Sequence, residues 1–321
     1  MALAQPVPMA RAGVFCASPH PDSYAWWYAD GLSHDRNYAF TLIAFIGSVF
    51  SPYYAWSGRT DPHNHCAINL ALYGRRHARW AMTERGRADL SVSPEQLIIG
   101  TSSLTWDGGT LTADIREYGA PIPQHVCGRI VLRPKYLNAE SFGLDAAGDH
   151  EWRPIAPAAE VSVDFRQPDL NWAGTGYFDT NSGRAPLEEA FRFWDWSRVQ
   201  QEDGRSALLY NLADRTGNER SLALRFSVDG RCETFAPPPK FALPLTPVFR
   251  IQRTTRAISR KSVHLGRTLE DTPFYSRSII ESDILGARAA GIHESFDGDR
   301  FRSPLVKLML PFRMPRRPIM S

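Results

Sequence analysis

Apolar and polar residues alternate along this chain in short runs bounded by Gly, Pro, Asn and Asp. Alternation with a period of two puts residues i and i+2 on one face of an extended backbone, so each run reads as a β-strand. The first series covers residues 24–30, 39–47, 66–74, 109–115 and 128–133. A second series follows at 194–201, 206–212, 221–228, 231–235, 249–256, 263–269, 274–282 and 291–296. Helical periodicity is scarce. Its best case is PLEEAFRF, residues 186–193, with Pro186 at a first helical position and Glu188 and Glu189 in the first turn. The pattern predicts an all-β protein of two consecutive antiparallel β-domains, residues 21–185 and 186–312. A tail at 1–20 precedes them and a basic tail at 313–321 follows. No short-period repeat is visible, which argues against propellers and solenoids.

The 321 residues and 43% hydrophobic content suffice for sizeable cores. Nine Trp, eleven Tyr and seventeen Phe supply an excess of aromatic surface, suited to dense β-packing or to a long apolar ligand. A net charge of +3, with no polybasic run before residue 300, gives no reason to expect a nucleic-acid partner. Cys16, Cys66, Cys127 and Cys232 are dispersed and lack metal-ligand spacing, as for reduced thiols in a cytoplasmic protein. The amino-terminal stretch has early prolines and no adequate apolar core, so no secretory signal is expected. The most apolar run, residues 40–50, is far shorter than the roughly 18 residues of a membrane helix. His63 and His65 lie near Asp61 but lack a convincing third ligand, so no metal is expected. Phosphate-binding and dinucleotide-binding glycine loops and a GxSxG elbow are all missing, and no cofactor is expected.

What remains is a set of aromatic and acidic positions. In YAWWYADG, Trp27 shares a face with Ala25 and Ala29, while Tyr28 shares the other with Trp26 and Asp30. FSPYYAWSG sets Tyr53, Tyr54 and Trp56 on a proline-broken loop, expected at the mouth of a pocket. WDW brings Trp194 and Trp196 to the start of the second domain. These seven aromatics, Trp27, Tyr28, Tyr53, Tyr54, Trp56, Trp194 and Trp196, are the candidate ligand-binding residues. In GTGYFDTNSG, Tyr177 and Asp179 point the same way; in DHEWRP, so do His150 and Trp152. Each pair projects two side chains toward one cavity, although ordinary strand alternation yields the same pattern. Asp271 in LEDTPFY, next to a proline turn, is a second candidate acid.

Taken together, YAWWYADGLS, LIAFIGSVFSPYYAW, NHCAINLALYG, RWAMTERG, GYFDTN, FWDWSR, RTLEDTPFYSRS, HES, DRFRSP and MLPFRMPRR resemble the carotenoid 1,2-hydratases (hydroxyneurosporene synthases) of carotenogenic bacteria. The likeness runs from about Tyr24 to Arg317 and extends more distantly to two-domain lipocalin-like hydratases and hydrolases. It implies two lipocalin-like β-barrels and cofactor-free addition of water to the terminal double bond of an acyclic carotenoid such as neurosporene or lycopene. By the same resemblance Asp179 is the general acid, Tyr177 and Trp152 stabilise the tertiary cation, and His150 orients water or accepts its proton. Thr180-Asn181-Ser182 departs from the bulkier, Trp-containing continuation of distant relatives, so the pocket differs from theirs. The alternative function is a lipocalin-type carrier of carotenoid or lipid, which needs the aromatic cavity without the acid. Because the substrate lives in a bilayer, the stretch 299–317, where apolar residues interleave with Arg313, Arg316 and Arg317, predicts contact with an anionic membrane surface. That places the protein on the cytoplasmic side of the inner (photosynthetic) membrane.

Overall fold

The computed structural model describes residues 13–17 and 19–317, so the two expected tails lie partly outside the described residues. Twelve strands between Tyr24 and Gly183 form one antiparallel sheet. In spatial order it runs from Arg79–Arg85 through Cys66–Tyr73, Ala39–Ile46 and Tyr24–Ser33 to Asp169–Gly183 and His150–Gln167. It continues through His125–Pro134 and Leu111–Tyr118 to the short strands Ser102–Trp106, Gln96–Ile99 and Leu90–Ser93, while Phe142–Gly143 pairs with His150–Gln167 off this path. The edge strand Arg79–Arg85 curls onto Leu111–Tyr118: buried Arg85 Nη2 meets Glu117 Oε2 at 2.6 Å, and just past that strand the Ala120 N–H donates to the Trp80 carbonyl at 3.1 Å. Inside the curve lie Trp27, Phe40, Leu70, Trp106, Ile130 and Phe178, all buried. Burying each such side chain contributes about 1.5–3 kcal/mol. Trp27 thus packs inside the first barrel, where its Nε1 donates to the Val14 carbonyl at 2.8 Å and its ring meets Phe15.

Seven strands between Phe191 and Asp297 form the second sheet. Its spatial order is Cys232–Thr234, Glu219–Phe226, Ser206–Asp214, Phe191–Gln200, Ala289–Asp297, Tyr275–Ser282 and Val263–Asp271. Alternation along Phe191–Gln200 divides its two faces. Asp195 points to the hairpin of Lys240–Leu243 and Arg253–Arg256, where Thr254 donates to its carboxylate from both the N–H and the hydroxyl. Trp194, Trp196 and Arg198 point instead to the first sheet. Arg198 Nε reaches Asp30 Oδ1 at 2.7 Å, and both side chains are buried. Removing one partner of such a pair leaves a buried charge uncompensated, at a cost of about 3–5 kcal/mol.

Two expectations change here. The helix expected over 186–193 is confined to Leu187–Ala190, and Phe191 already begins a strand because FRFWDW alternates. Second, the basic tail is not free over Arg313–Arg317. After the short helices Pro304–Met309 and Leu310–Phe312, the chain returns to the edge of the first sheet. There the Glu84 N–H donates to the Pro315 carbonyl at 2.9 Å and the Arg317 N–H donates to the Glu84 carbonyl at 3.0 Å. Arg316 pairs with the buried Glu84 carboxylate, and Arg313 stacks over Trp80 at 4.2 Å.

Candidate active site

Cross-strand register builds the site. On the first sheet, Asp179, Tyr28, Ile43, Asn69 and Met82 are successive Cα partners in one row across five strands. On the second, Tyr210, Trp196, Glu294, Arg277 and Glu270 form a matching row. All ten side chains line one cavity of about 460 Å³ between the sheets. Trp26, Trp152, Asn181 and Trp194 add to its walls, and Phe249, Asp271, Phe274, Met309 and Phe312 lie on elements at its rim. A cavity of this size is within the range of small-molecule sites, and its walls are mainly apolar and rich in aromatic rings.

Asp179 occupies the centre of the polar part. Its Oδ2 accepts from the Tyr177 hydroxyl at 2.7 Å and from Trp152 Nε1 at 2.8 Å, while Trp152 Nε1 is also 3.2 Å from the Tyr177 oxygen. Asn181 Nδ2 lies 3.2 Å from Oδ1. Burial raises the Asp179 carboxyl from its ordinary value to about 8, against the lowering effect of the Trp152 and Tyr177 hydrogen bonds. The negative ends of Glu294 and Asp30 push the same way as burial. A carboxylic acid that is still protonated at neutral pH is thus held in an apolar cavity. Burial likewise raises the phenol of Tyr177, which stays a donor.

The second wall carries charge of its own. Arg277 donates to Glu294 Oε1 through Nε at 3.0 Å and Nη2 at 2.5 Å, and the Tyr28 hydroxyl sits 2.6 Å from the same oxygen. Tyr28 also lies 2.8 Å from Asp30 Oδ2. Glu270 Oε2 accepts from the Tyr73 hydroxyl at 2.9 Å, and burial pushes that carboxyl up.

Of the residues singled out from sequence, Asp179, Trp152, Tyr28, Trp194 and Trp196 stand on the cavity wall, with Tyr177 directly behind the acid. His150 does not reach the wall. It lies two cross-strand rows from Asp179, opposite Gly183, with Nδ1 2.9 Å from the Tyr24 hydroxyl and its ring 4.9 Å from Phe191. A Cβ on Gly183 would come within 2.5 Å of that Nδ1, so the glycine gives the imidazole its seat. Burial lowers the pKa of His150, favouring the neutral ring. Tyr53, Tyr54 and Trp56 are also away from the wall. They form the helix Pro52–Trp56, where Tyr54 is buried with its hydroxyl on the Ser23 carbonyl at 2.8 Å and Trp56 is exposed. Phe50, just before that helix, takes the wall position instead. Asp271 is at the rim, its carboxylate accepting from the N–H groups of Val248 at 2.7 Å and Phe249 at 3.3 Å, a loop-fixing role. His65 is 2.7 Å from Glu84 and takes part in the Arg316 seam; no group of three metal-binding side chains occurs among the described residues.

Sequence reading gave no site role to Glu294, Arg277, Tyr210, Asn181 and Trp26, and of the adjacent acids Glu270 and Asp271 it chose Asp271. The available signal was polarity in phase with aromatics, since Arg277 shares a strand face with Tyr275 and Glu294 shares one with Phe296. Such buried charges need partners and mark sites more often than they stabilise cores.

Similarity to known proteins points one way. The sequence profile of the carotenoid hydratase CrtC family matches residues 42–321. The chain is 52% identical over 310 residues to the acyclic carotenoid 1,2-hydratase of Thiocapsa roseopersicina, covering 96% of this chain and 76% of that one. It is 45% identical to the enzyme of the same name from Rubrivivax gelatinosus, over 92% of this chain and 74% of that one. The corresponding protein of Cereibacter sphaeroides is 42% identical, over 86% of this chain and 98% of its own length. Among solved structures, a putative AttH from Nitrosomonas europaea superposes with a TM-score of 0.59 at 15% identity, over 92% of this chain and 99% of that one. CghA superposes with a TM-score of 0.55 at 13% identity, over 92% and 94% of the two chains. At those identities the likeness bears on the fold, a pair of lipocalin-like β-structures. With the profile spanning most of its length, the chain belongs to the carotenoid hydratase family.

Proposed function

We propose that this cavity hydrates the terminal double bond of an acyclic carotenoid, with Asp179 as the general acid. One observation carries the assignment: a carboxyl raised to about 8 faces an aromatic cavity with one oxygen already engaged by two donors. Because Oδ2 receives Tyr177 and Trp152, the acid proton resides on Oδ1. Transfer of that proton to the CH carbon of the terminal alkene leaves a tertiary cation at the dimethyl carbon. The two hydrogen bonds to Oδ2 then strengthen on the new carboxylate, so they stabilise the charged state reached after transfer. The π-faces of Tyr28, Trp152 and Trp196 present negative quadrupoles to the cation, each worth roughly 0.5–2 kcal/mol. Water captures the cation and gives a tertiary alcohol. His150, in this reading, supports Tyr24 and the wall behind Trp152 rather than handling water.

A carrier of carotenoid or lipid would use the same aromatic walls. It has no need for a neutral carboxyl, whose retention costs stability, and this favours catalysis. Incubating the purified protein with lycopene or neurosporene in ¹⁸O-water and weighing the products tests the assignment. A labelled monohydroxy or dihydroxy carotenoid supports it, whereas unchanged bound carotenoid supports the carrier.

The access route follows from the rim. Leu305, Leu308, Met309 and Phe312 are exposed on the carboxy-terminal helices, and Met309 and Phe312 also belong to the cavity lining. No helix among the described residues is long and apolar enough to cross a membrane. These apolar side chains enter the acyl boundary of an anionic membrane and set the cavity mouth against the bilayer, from which a long polyene end slides inward. Arg313 and Arg316, engaged with Trp80 and Glu84, serve the protein's own seam instead.

A further inference from the structure

Hydration needs a second proton transfer, from the attacking water, and His150 lies away from the cavity wall. We infer that Glu294 is the catalytic base that takes this proton, an inference that rests on the assignment of Asp179 as acid. Glu294 stands on the wall opposite Asp179. Its Oε1 receives Arg277 twice and Tyr28 once, while Oε2 has no hydrogen-bond partner among the described residues, on a side chain that keeps 11% exposure. One oxygen is thus anchored and the other is left to hold water.

Tyr28 links the two walls. Its Cα is the cross-strand partner of Asp179, and its hydroxyl touches Glu294 Oε1. Trp196 is the cross-strand partner of Glu294, and its ring lies 5.1 Å from that of Tyr177, behind the acid. A substrate end between the rows therefore has the acid on one side and Glu294 on the other. The charged and titratable surroundings of Glu294 are Arg277 beside it, Tyr28 with Asp30 and Arg198 beyond, Tyr275, Glu270 and Tyr210 along the second sheet, and Asp179 across the cavity. Arg277 is the one cation in direct contact and compensates the carboxylate.

The step balances. The alkene π pair forms a C–H bond with the Asp179 proton; a lone pair of water forms the C–O bond; the displaced O–H proton passes to Glu294 Oε2. Alkene and water become alcohol, and one proton has moved from Asp179 to Glu294. Exchange with cavity water and solvent restores both groups before the next turnover.

The test measures alcohol formation from lycopene in ¹⁸O-water against pH for the wild-type chain, Glu294→Gln, Glu294→Ala and Glu294→Asp, with Tm and carotenoid retention as controls. Glu294→Gln loses about 100-fold or more, while the alkaline limb set by Asp179 stays. Formate restores Glu294→Ala at least about tenfold, which a merely structural defect would not permit. Should the Gln and Ala variants fail to fold, Glu294→Asp keeps the charge, and a base withdrawn by one methylene slows turnover at unchanged Tm and carotenoid retention. A wild-type rate in Glu294→Gln, an Ala variant indifferent to formate, or an unchanged rate in Glu294→Asp overturns the inference. Asp179→Asn, run alongside, separates the two claims: if it is inactive while Glu294→Gln is not, the acid assignment stands and the base falls. A wild-type chain that forms no alcohol removes the acid assignment itself.

Discussion

The Tyr177 hydroxyl donates to Asp179 Oδ2 at 2.7 Å across a two-residue step of a single strand. Strand alternation puts both side chains on the face that looks at the second sheet, and Trp152 from the neighbouring strand reaches the same oxygen at 2.8 Å. The carboxyl is therefore held from behind through Oδ2, while Oδ1 meets Asn181 Nδ2 at 3.2 Å on the cavity wall.

With Asp179 as the proposed acid, the rate depends on its protonated form, whose pKa burial pushes up to about 8. Turnover is accordingly sustained below that pH and declines as pH rises through it, about tenfold for each further unit. Initial rates between pH 6 and 10, with folding checked at each point, measure this limb. A rate that climbs from pH 8 to 10 contradicts it.

Tyr177→Phe removes a donor that holds the Asp179 pKa down. The alkaline limb moves to higher pH, and the rate on the plateau falls about tenfold because the carboxylate left after proton transfer has lost one charge-assisted hydrogen bond. Trp152→Phe acts in the same direction. The double variant loses less than the sum, since the two donors share one oxygen. A limb displaced toward acid in either single variant speaks against this arrangement.

Keeping Asp179 neutral lowers stability. The unfolded chain releases this proton near pH 4 and the folded chain near 8, so between those values the unfolded state binds fewer protons and the group's contribution to stability falls as pH rises. It is fully present below about pH 4 and has been lost above about 8. Asp179→Asn therefore raises Tm relative to wild type, more at pH 8.5 than at pH 5, as read by thermal denaturation at the two pH values. An equal or opposite difference would place the acid elsewhere.

Much of this was legible in the sequence where the signal is local. The alternation of YAWWYADG separated Trp27 from Trp26 and Tyr28, and GYFD put Tyr177 beside Asp179; the structure keeps both relationships. Register was not legible, because a strand's period fixes its faces and leaves its partners open. Hence His150 and Trp152, equivalent by spacing, end in different places: one row carries Trp152 to the acid, the next carries His150 behind it. Tyr53, Tyr54 and Trp56 were assigned to a mouth because of Pro52, yet Ser51 caps a short helix there and Tyr54 turns inward. Glu294 and Arg277 escaped notice because each is unremarkable alone, and their partnership depends on adjacent strands that place them 17 residues apart in the chain. The carboxy-terminal arginines looked like a membrane tail because nothing local reveals that Glu84 awaits one of them.

That seam separates two effects on the proposed membrane contact. Leu308→Glu with Phe312→Glu lowers co-sedimentation with anionic vesicles while Tm holds, since both side chains are exposed. Arg316→Gln instead lowers Tm, because it takes the guanidinium from the buried Glu84 carboxylate and leaves it only His65. Vesicle binding indifferent to the Glu pair and abolished by the Arg316 change would return the contact to the basic residues.

The most direct measurement compares the wild-type chain with Asp179→Asn for incorporation of ¹⁸O from water into lycopene, at pH 7 and with carotenoid binding measured on the same samples. Wild type forms the labelled tertiary alcohol; the variant binds carotenoid and forms at least about 100-fold less, because an amide cannot supply the proton. Near-normal labelling by Asp179→Asn would contradict the account.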